Sequence, residues 1–213
     1  MQIELYGTKE RIFNEAINLI ATKGFESVSM RDIAEEVGIK VSSIYNHFTS
    51  KAEILDTIYG YFKAHRLDNR SDANGIKTTI ETGSPFDIVN ILYNTVFVFE
   101  EELEEKMNLI FKIILMRVFD DPKANHFFTH EWYKEDFNHL KTWLNYAVEI
   151  GRLETGFDID NFSILLWNQM IMMSVWAFAY PDHESDKLIE KKRLFEIFAR
   201  LLPLKAATTS NNE

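Results

Sequence analysis

A chain of 213 residues has room for one elongated unit or for one ordinary domain with a small companion. Its 8 glycines and 4 prolines fall well short of the about 15 and 11 that ordinary usage would give, which argues against a many-stranded barrel or sandwich, and 46% hydrophobic residues argue against a disordered chain. The lack of cysteine removes disulfide frameworks, thiolate metal sites and cysteine nucleophiles, and the formal net charge of -10 is the wrong sign for wholesale attraction to polyanions.

In chain order, Thr8 is a candidate N-cap for a first helix in which Phe13, Ala16, Ile17 and Ile20 recur at i, i+3, i+4 and i+7. Gly24 is placed to stop it. Ser29 and Asp32 have capping-box spacing at the head of a second helix whose Ile33, Ala34 and Val37 face inward, and Gly38 ends it after about two turns. A third short segment, 41–48, puts Ile44, Tyr45 and Phe48 on one side and Ser42, Ser43, Asn46 and His47 largely on others. Tyr45 is open to two readings, a core aromatic or a surface donor. Ser50 with Glu53 predicts a second capping box, opening a longer helix along Ile54, Leu55, Ile58, Tyr59 and Phe62.

Residues 67–85 are polar, contain Gly75, Gly83 and Pro85, and read as a linker or long loop. Helices are expected beyond it at 86–101, 102–119, 122–151, 160–180 and 184–202. The resulting division is a domain over 1–50, a connecting helix over 51–66, a linker over 67–85, a helical domain over 86–204 and a disordered tail over 205–213. The N-terminal residues lack the basic and apolar runs of a secretory signal, so a cytoplasmic location is expected.

Charge is unevenly spread. Residues 1–66 hold 8 bases and 9 acids, against 15 and 24 in the remainder, and 38–51 contain no carboxylate while holding Lys40, Lys51 and His47. Two short helices around a glycine turn, preceded and followed by others, form a tri-helical helix-turn-helix unit whose second short helix is the element that enters a major groove. The chain from Ser29 to Leu55, SMRDIAEEVGIKVSSIYNHFTSKAEIL, resembles the DNA-binding domain of TetR-family transcriptional regulators over about 8–62.

That resemblance implies an all-α protein: a helix-turn-helix DNA-binding domain followed by an all-helical effector-binding and dimerisation domain, in most members a repressor released by a small molecule. By position it implies contacts to double-stranded operator DNA from Ser29, Lys40, Val41, Ser42, Ser43, Tyr45, Asn46, His47 and Lys51. Lys51 lies in the first turn of a capped helix, where unpaired N–H groups favour phosphate. The family usually has a polar residue at the position of Lys40 and commonly lysine at that of Val41, and an apolar Val41 suits a thymine methyl better than a guanine edge.

In 86–204 a largely apolar effector pocket between the central helices is expected, with Tyr93, Phe97, Phe111, Trp143 and Asn168 as candidate lining. Residues 161–180 carry no charge over 20 positions. The polar Asn161, Ser163, Asn168, Gln169 and Ser174 argue against a membrane span, and a helix buried on two sides suits a homodimer formed through 161–180 and 184–202. His126 and His130, with Glu131 and Asp136 nearby, have metal-helix spacing but no accompanying ligand motif, so solvated surface residues and no metal or other cofactor are expected. No nucleophile–base pair or phosphate-binding glycine loop points to an enzyme. The competing reading is a helix-turn-helix interaction module that has lost DNA binding, for which Val41 is the one sign.

Overall fold

The computed structural model describes residues 5–68, 73–97, 101–179 and 184–205, and it is all-α. Eleven α-helices are described: α1 (Gly7–Lys23), α2 (Met30–Val37), α3 (Val41–Ile44), α4 (Lys51–Asp68), α5 (Ala73–Thr82), α6 (Pro85–Phe97), α7 (Glu101–Arg117), α8 (Pro122–His126), α9 (Tyr133–Glu149), α10 (Ile159–Ala179) and α11 (Glu184–Leu201). A π-helical turn, Phe127–Trp132, joins α8 to α9.

The chain divides into two compact units, one containing α1–α4, α7, α8 and the π turn, the other α5, α6 and α9–α11. In the first, α1 buries Ile12, Phe13, Ala16, Ile17 and Ile20, and the core continues through Ile33, Val37 and Ile44 to Ile54 and Ile58 of α4 and Ile110 and Ile114 of α7. Its far end is aromatic. Trp132 meets Phe62 edge-on at 5.1 Å and Phe111 at 4.9 Å between centroids. In the second unit Ile76 and Ile80 of α5, Val89 and Leu92 of α6, Leu140 and Leu144 of α9, Leu166 and Met170 of α10, and Phe195 and Phe198 of α11 are buried. Phe162 and Phe198 join α10 to α11 edge-on at 5.5 Å.

Several local expectations need correction. Thr8 does not cap α1, which begins one residue earlier behind Tyr6 without a side-chain cap. The stretch 67–85 is not a loop throughout, because Ala73–Thr82 form α5, held by the burial of Ile76 and Ile80 at helical spacing. Its exit turn needs glycine: a Cβ on Gly83 would lie 2.5 Å from the Thr79 carbonyl oxygen. The single helix expected over 122–151 winds without interruption over 122–149, but with a π turn over 127–132 between α8 and α9. Of the expected disordered tail, 206–213 lie outside the described residues, as does Tyr180 at the end of α10. Lys205 is described and is held, its N–H donating to the Arg152 carbonyl at 2.9 Å.

Three helices begin on reciprocal serine or threonine and carboxylate caps. Ser29 Oγ accepts from Asp32 N–H and the Asp32 carboxylate accepts from the Ser29 N–H, a full capping box. Ser84 and Asp87 repeat it ahead of α6, with Pro85 at the first helical position. At α4 the expected box is displaced: Ser50 Oγ accepts from Glu53 N–H, but the Glu53 carboxylate reaches past it to the N–H and hydroxyl of Thr49. The hydroxyl and then the backbone N–H at each cap hold Asp32, Glu53 and Asp87 below their ordinary carboxylate values. A depressed carboxylate contributes stability above its unfolded value and loses it as pH falls through the folded one. Thermal midpoints should therefore fall between about pH 5 and pH 3, and Asp32→Asn combined with Glu53→Gln and Asp87→Asn should flatten that fall. An unchanged slope in the triple variant would show that the caps do not set acid sensitivity.

Candidate nucleic-acid interface

The α2–α3 pair is built on a left-handed turn. Gly38 sits at φ 74° and ψ 34° and donates to the carbonyls of Ala34 and Glu35, and Ile39 N–H returns to Ala34 O at 2.9 Å. Such a turn closes α2 with its last carbonyls satisfied. The Arg11 guanidinium of α1 adds a bond of 2.6 Å to Val37 O, placing a cation at the negative end of α2. The regular part of α3 is short, Val41–Ile44, and 45–48 continue its winding through His47 N–H to Ile44 O and Phe48 N–H to Ile44 O, both 3.0 Å.

Burial sorts this segment by face. Ile44 and Phe48 are fully inside, and the Lys9 ammonium lies 5.0 Å over the Phe48 ring. Lys40, Val41, Ser42, Tyr45 and Asn46 are exposed, with Ser43 and His47 half-buried. Tyr45 is 50% exposed, so it belongs to the surface and not to the core. The outward side of α3 thus presents an ammonium, a branched apolar group, hydroxyls, an amide and an imidazole without a carboxylate, a set able to meet phosphates and base edges together.

The two outlying candidates are engaged within the protein. Ser29 is exposed, but its hydroxyl donates to Asp32 Oδ2 at 2.7 Å, so its proton is already used in the cap of α2. The Lys51 ammonium donates to Phe25 O at 2.5 Å and Val28 O at 2.7 Å, and stands 4.1 Å over the Phe25 ring. An ammonium has three donors; two of these hold the α1–α2 loop, and one is left for a phosphate.

Arg117 of α7 faces the same ring, with its guanidinium 4.3 Å from the Phe25 centroid, and pairs with Glu26 at 3.3 Å and Asp121 at 3.2 Å. Nothing in the spacing of Phe25 and Arg117, 92 positions apart, would have shown this clasp.

Residues 12–58 match the family profile TetR_N, described as bacterial regulatory proteins, tetR family. The helix-turn-helix segment over 12–58 is thus a TetR-family domain. The HTH-type transcriptional repressor KstR2 of Rhodococcus jostii is 26% identical over 109 residues, covering 46% of this chain and 51% of the relative. The biofilm operon icaADBC HTH-type negative transcriptional regulator IcaR of Staphylococcus epidermidis is 34% identical over 68 residues, 30% of this chain and 37% of the relative. The matched part thus spans about half, or less, of the length of these curated relatives.

Similarity of fold reaches further. The ketosteroid transcriptional regulator KstR2 of Mycobacterium tuberculosis superposes with a TM-score of 0.65 at 18% identity, over 94% of this chain and 97% of the other. The TetR-family regulator PfmR of Thermus thermophilus does so at 0.64 and 21%, over 92% and 97%. The fold is therefore shared along the length of the chain, whereas the family match lies in the helix-turn-helix region.

The five candidate pocket residues fall in both units. Phe111 lies in the first, in the aromatic cluster with Phe62 and Trp132. Tyr93, Trp143 and Asn168 belong to the second. There Tyr93 packs edge-on against Phe195 at 5.1 Å beneath the Lys191 ammonium, Trp143 meets Tyr146 at 6.2 Å, and Asn168 is exposed on α10. Phe97 closes α6, and its side chain lies outside the described residues. The indole N–H of Trp143 and the hydroxyl of Ser163 are buried without a hydrogen-bond partner among the described residues.

His126 and His130 stack at 4.8 Å, and His130 Nδ1 lies 2.7 Å from Thr129 Oγ1. Asp136 belongs to the second unit, where it accepts from the Trp167 indole. Among the described residues no three His, Asp or Glu side chains gather to hold a metal ion, and no helix is long and apolar enough to cross a membrane.

Proposed function

We propose that the protein is a homodimeric, non-enzymatic transcriptional repressor that reads a pseudo-palindromic operator through α3 and leaves it when an apolar or aromatic small molecule binds among the helices of 86–180. The observation that supports this most is the carboxylate-free outward face of Lys40, Val41, Ser42, Tyr45 and Asn46, anchored by the buried Ile44 and Phe48. Lys40, Tyr45, His47 and the third donor of Lys51 would meet phosphates, while Val41, Ser42, Ser43 and Asn46 would meet base edges. Ser29 acts chiefly as the cap that holds α2 in place.

Dimerisation has its own support. The exposed residues Leu165, Asn168, Met172 and Val175 of α10 recur at i, i+3, i+7 and i+10, and the exposed Ile189, Arg193, Ile197 and Leu201 of α11 at i, i+4, i+8 and i+12. Two adjacent helices with apolar outer stripes can pair with a second copy across a two-fold axis as a four-helix bundle. Two recognition helices related by that axis require half-sites about one helical turn apart, roughly 34 Å.

Two substitutions separate the phosphate role from the base-reading one. Lys51→Ala should weaken binding to every sequence and lower the salt slope by about 1. Val41→Ala should change the preferred base at one position of each half-site and leave the salt slope as it was. Binding curves at several salt concentrations on fragments containing the protein's own promoter check both. Identical base preferences for Val41→Ala and the unsubstituted protein would remove Val41 from base reading.

A further inference from the structure

A groove of about 450 Å³ runs along α4 in the first unit, with α8 and the π turn as its other wall. On α4 the lining residues Asp56, Tyr59, Gly60 and Lys63 fall at i, i+3, i+4 and i+7, one face of the helix. Asp56 and Lys63 are seven residues apart, so the slot between them is about 10 Å long. Glycine at position 60, unfavourable inside a helix, leaves the middle of that face without a side chain of its own.

The floor is aromatic and the ends are charged. The Tyr59 and Phe127 rings lie parallel, with centroids 6.3 Å apart and 4° between planes, and each turns only a small part of its surface to the groove, at 7% and 5% exposed. One end is closed by Lys123 on Asp56 at 2.7 Å, the other by Lys63 on Glu131. Each pair joins the two walls, and all four charges remain within reach of solvent. The ends differ in their further neighbours. At the Lys63 end the exposed His126 places Nε2 3.9 Å from Glu131, so two basic groups face one carboxylate. At the Lys123 end a second carboxylate is close, because the Tyr59 hydroxyl donates to Asp121 Oδ2 at 3.3 Å, and that carboxylate is in turn paired with Arg117.

We infer that this groove is a binding site for a planar aromatic carboxylate of two or three fused rings, its ring system laid on Tyr59 and Phe127 and its carboxylate held by Lys63 and His126. Volume, floor and charge agree on that class. A volume of this size is ordinary for a small-molecule site, flat rings pack against flat rings, and a carboxylate that displaces Glu131 gains the Lys63 ammonium as its partner, with the His126 imidazole beside it. The bound carboxylate takes the place of Glu131 as partner of Lys63. Glu131 lies in the π turn, a distortion frequent at functional sites, and its release removes a tie between that turn and α4. Whether occupancy then lowers operator affinity rests on the ligand-release reading above; the binding itself does not.

The test uses the full-length protein with 2-naphthoate and 2-anthroate as probes, and naphthalene-2-carboxamide as the uncharged control. Calorimetric titration should give saturable binding of a carboxylate probe, and at least about tenfold weaker binding of the carboxamide. Lys63→Gln should lower carboxylate affinity about tenfold or more with little effect on the carboxamide, and Lys63→Arg should restore most of it. Gly60→Leu should abolish binding of all three, with an unchanged melting curve showing that the fold is kept. If Gly60→Leu does not fold, His126→Gln is read instead, with an expected loss of about threefold or more for the carboxylates alone. No binding of either carboxylate up to 1 mM, or binding indifferent to Lys63→Gln, would overturn the assignment. Operator affinity measured with and without probe separates the two claims: binding that requires Lys63 with unchanged operator affinity upholds the site and removes it as the release switch.

Discussion

Replacing Met172 by aspartate should turn the proposed dimer into a monomer and lower operator affinity by at least about 100-fold. Met172 is 60% exposed in the single chain and lies mid-way along the apolar outer stripe of α10, between Leu165 and Val175. In a two-fold bundle it meets its own kind or a close neighbour, so one substitution introduces two carboxylates into an apolar interface. A buried unpaired charge costs several kcal/mol per ion, more than a stripe of this width returns. A monomer keeps one reading head, and binding one half-site loses the avidity of binding two. Sedimentation at micromolar concentration reports assembly, and titration on operator DNA reports affinity. Ser42→Ala serves as the contrasting variant, with altered DNA binding and an intact dimer. A Met172→Asp protein that remains dimeric would move the interface away from α10.

The second large effect is on stability. Arg152, 7% exposed, follows the turn at the end of α9, and its guanidinium donates to Ile80 O at 3.0 Å, to Gly83 O at 2.6 Å and to Lys205 O. The backbone nearby is tied as well, by the bridge between Leu153 and Leu204. One planar cation thus meets the last carbonyls of α5, the α5–α6 turn and the chain after α11. Carbonyls at a helix end have no partner of their own, and hydrogen bonds from a charged donor contribute about 1.5–3 kcal/mol each without being additive. Arg152→Ala should therefore cost about 3 kcal/mol, lowering the thermal midpoint by roughly 10 °C. Lys at this position keeps the charge but lacks the planar fork, so its loss should be intermediate. Melting curves that coincide for Arg152→Ala and the unsubstituted protein would mean that these bonds add nothing beyond those to water.

What could be read in advance follows from the range of the interactions. The helix-turn-helix is local: the Ser29–Asp32 box, the glycine at 38 and the spacing of Ile33, Val37, Ile44 and Phe48 all act within about 20 residues, so pattern and resemblance agree with the structure there. The α5 helix is not legible in the sequence because a polar composition surrounds its only two buried positions, Ile76 and Ile80, though Ser84-Pro85-Phe86-Asp87 carries the capping signal that starts α6. The Lys51 and Arg117 clasp on Phe25, the Arg152 clamp and the groove beside α4 join residues 23 to 92 positions apart. No periodicity encodes such pairings; they exist only after the helices have packed. Aromatic residues behaved likewise, since Phe111 and Tyr93 look alike in sequence and are separated into different units by the fold.

Selection of bound DNA from a random pool by the full-length protein bears most directly on the claim that α3 reads sequence as one of a pair. Successive rounds should converge on a pseudo-palindrome with half-sites about one helical turn apart, roughly 34 Å, and with a thymine at the position that Val41→Ala alters. Enrichment of no common motif, with retention that depends only on salt, would contradict it.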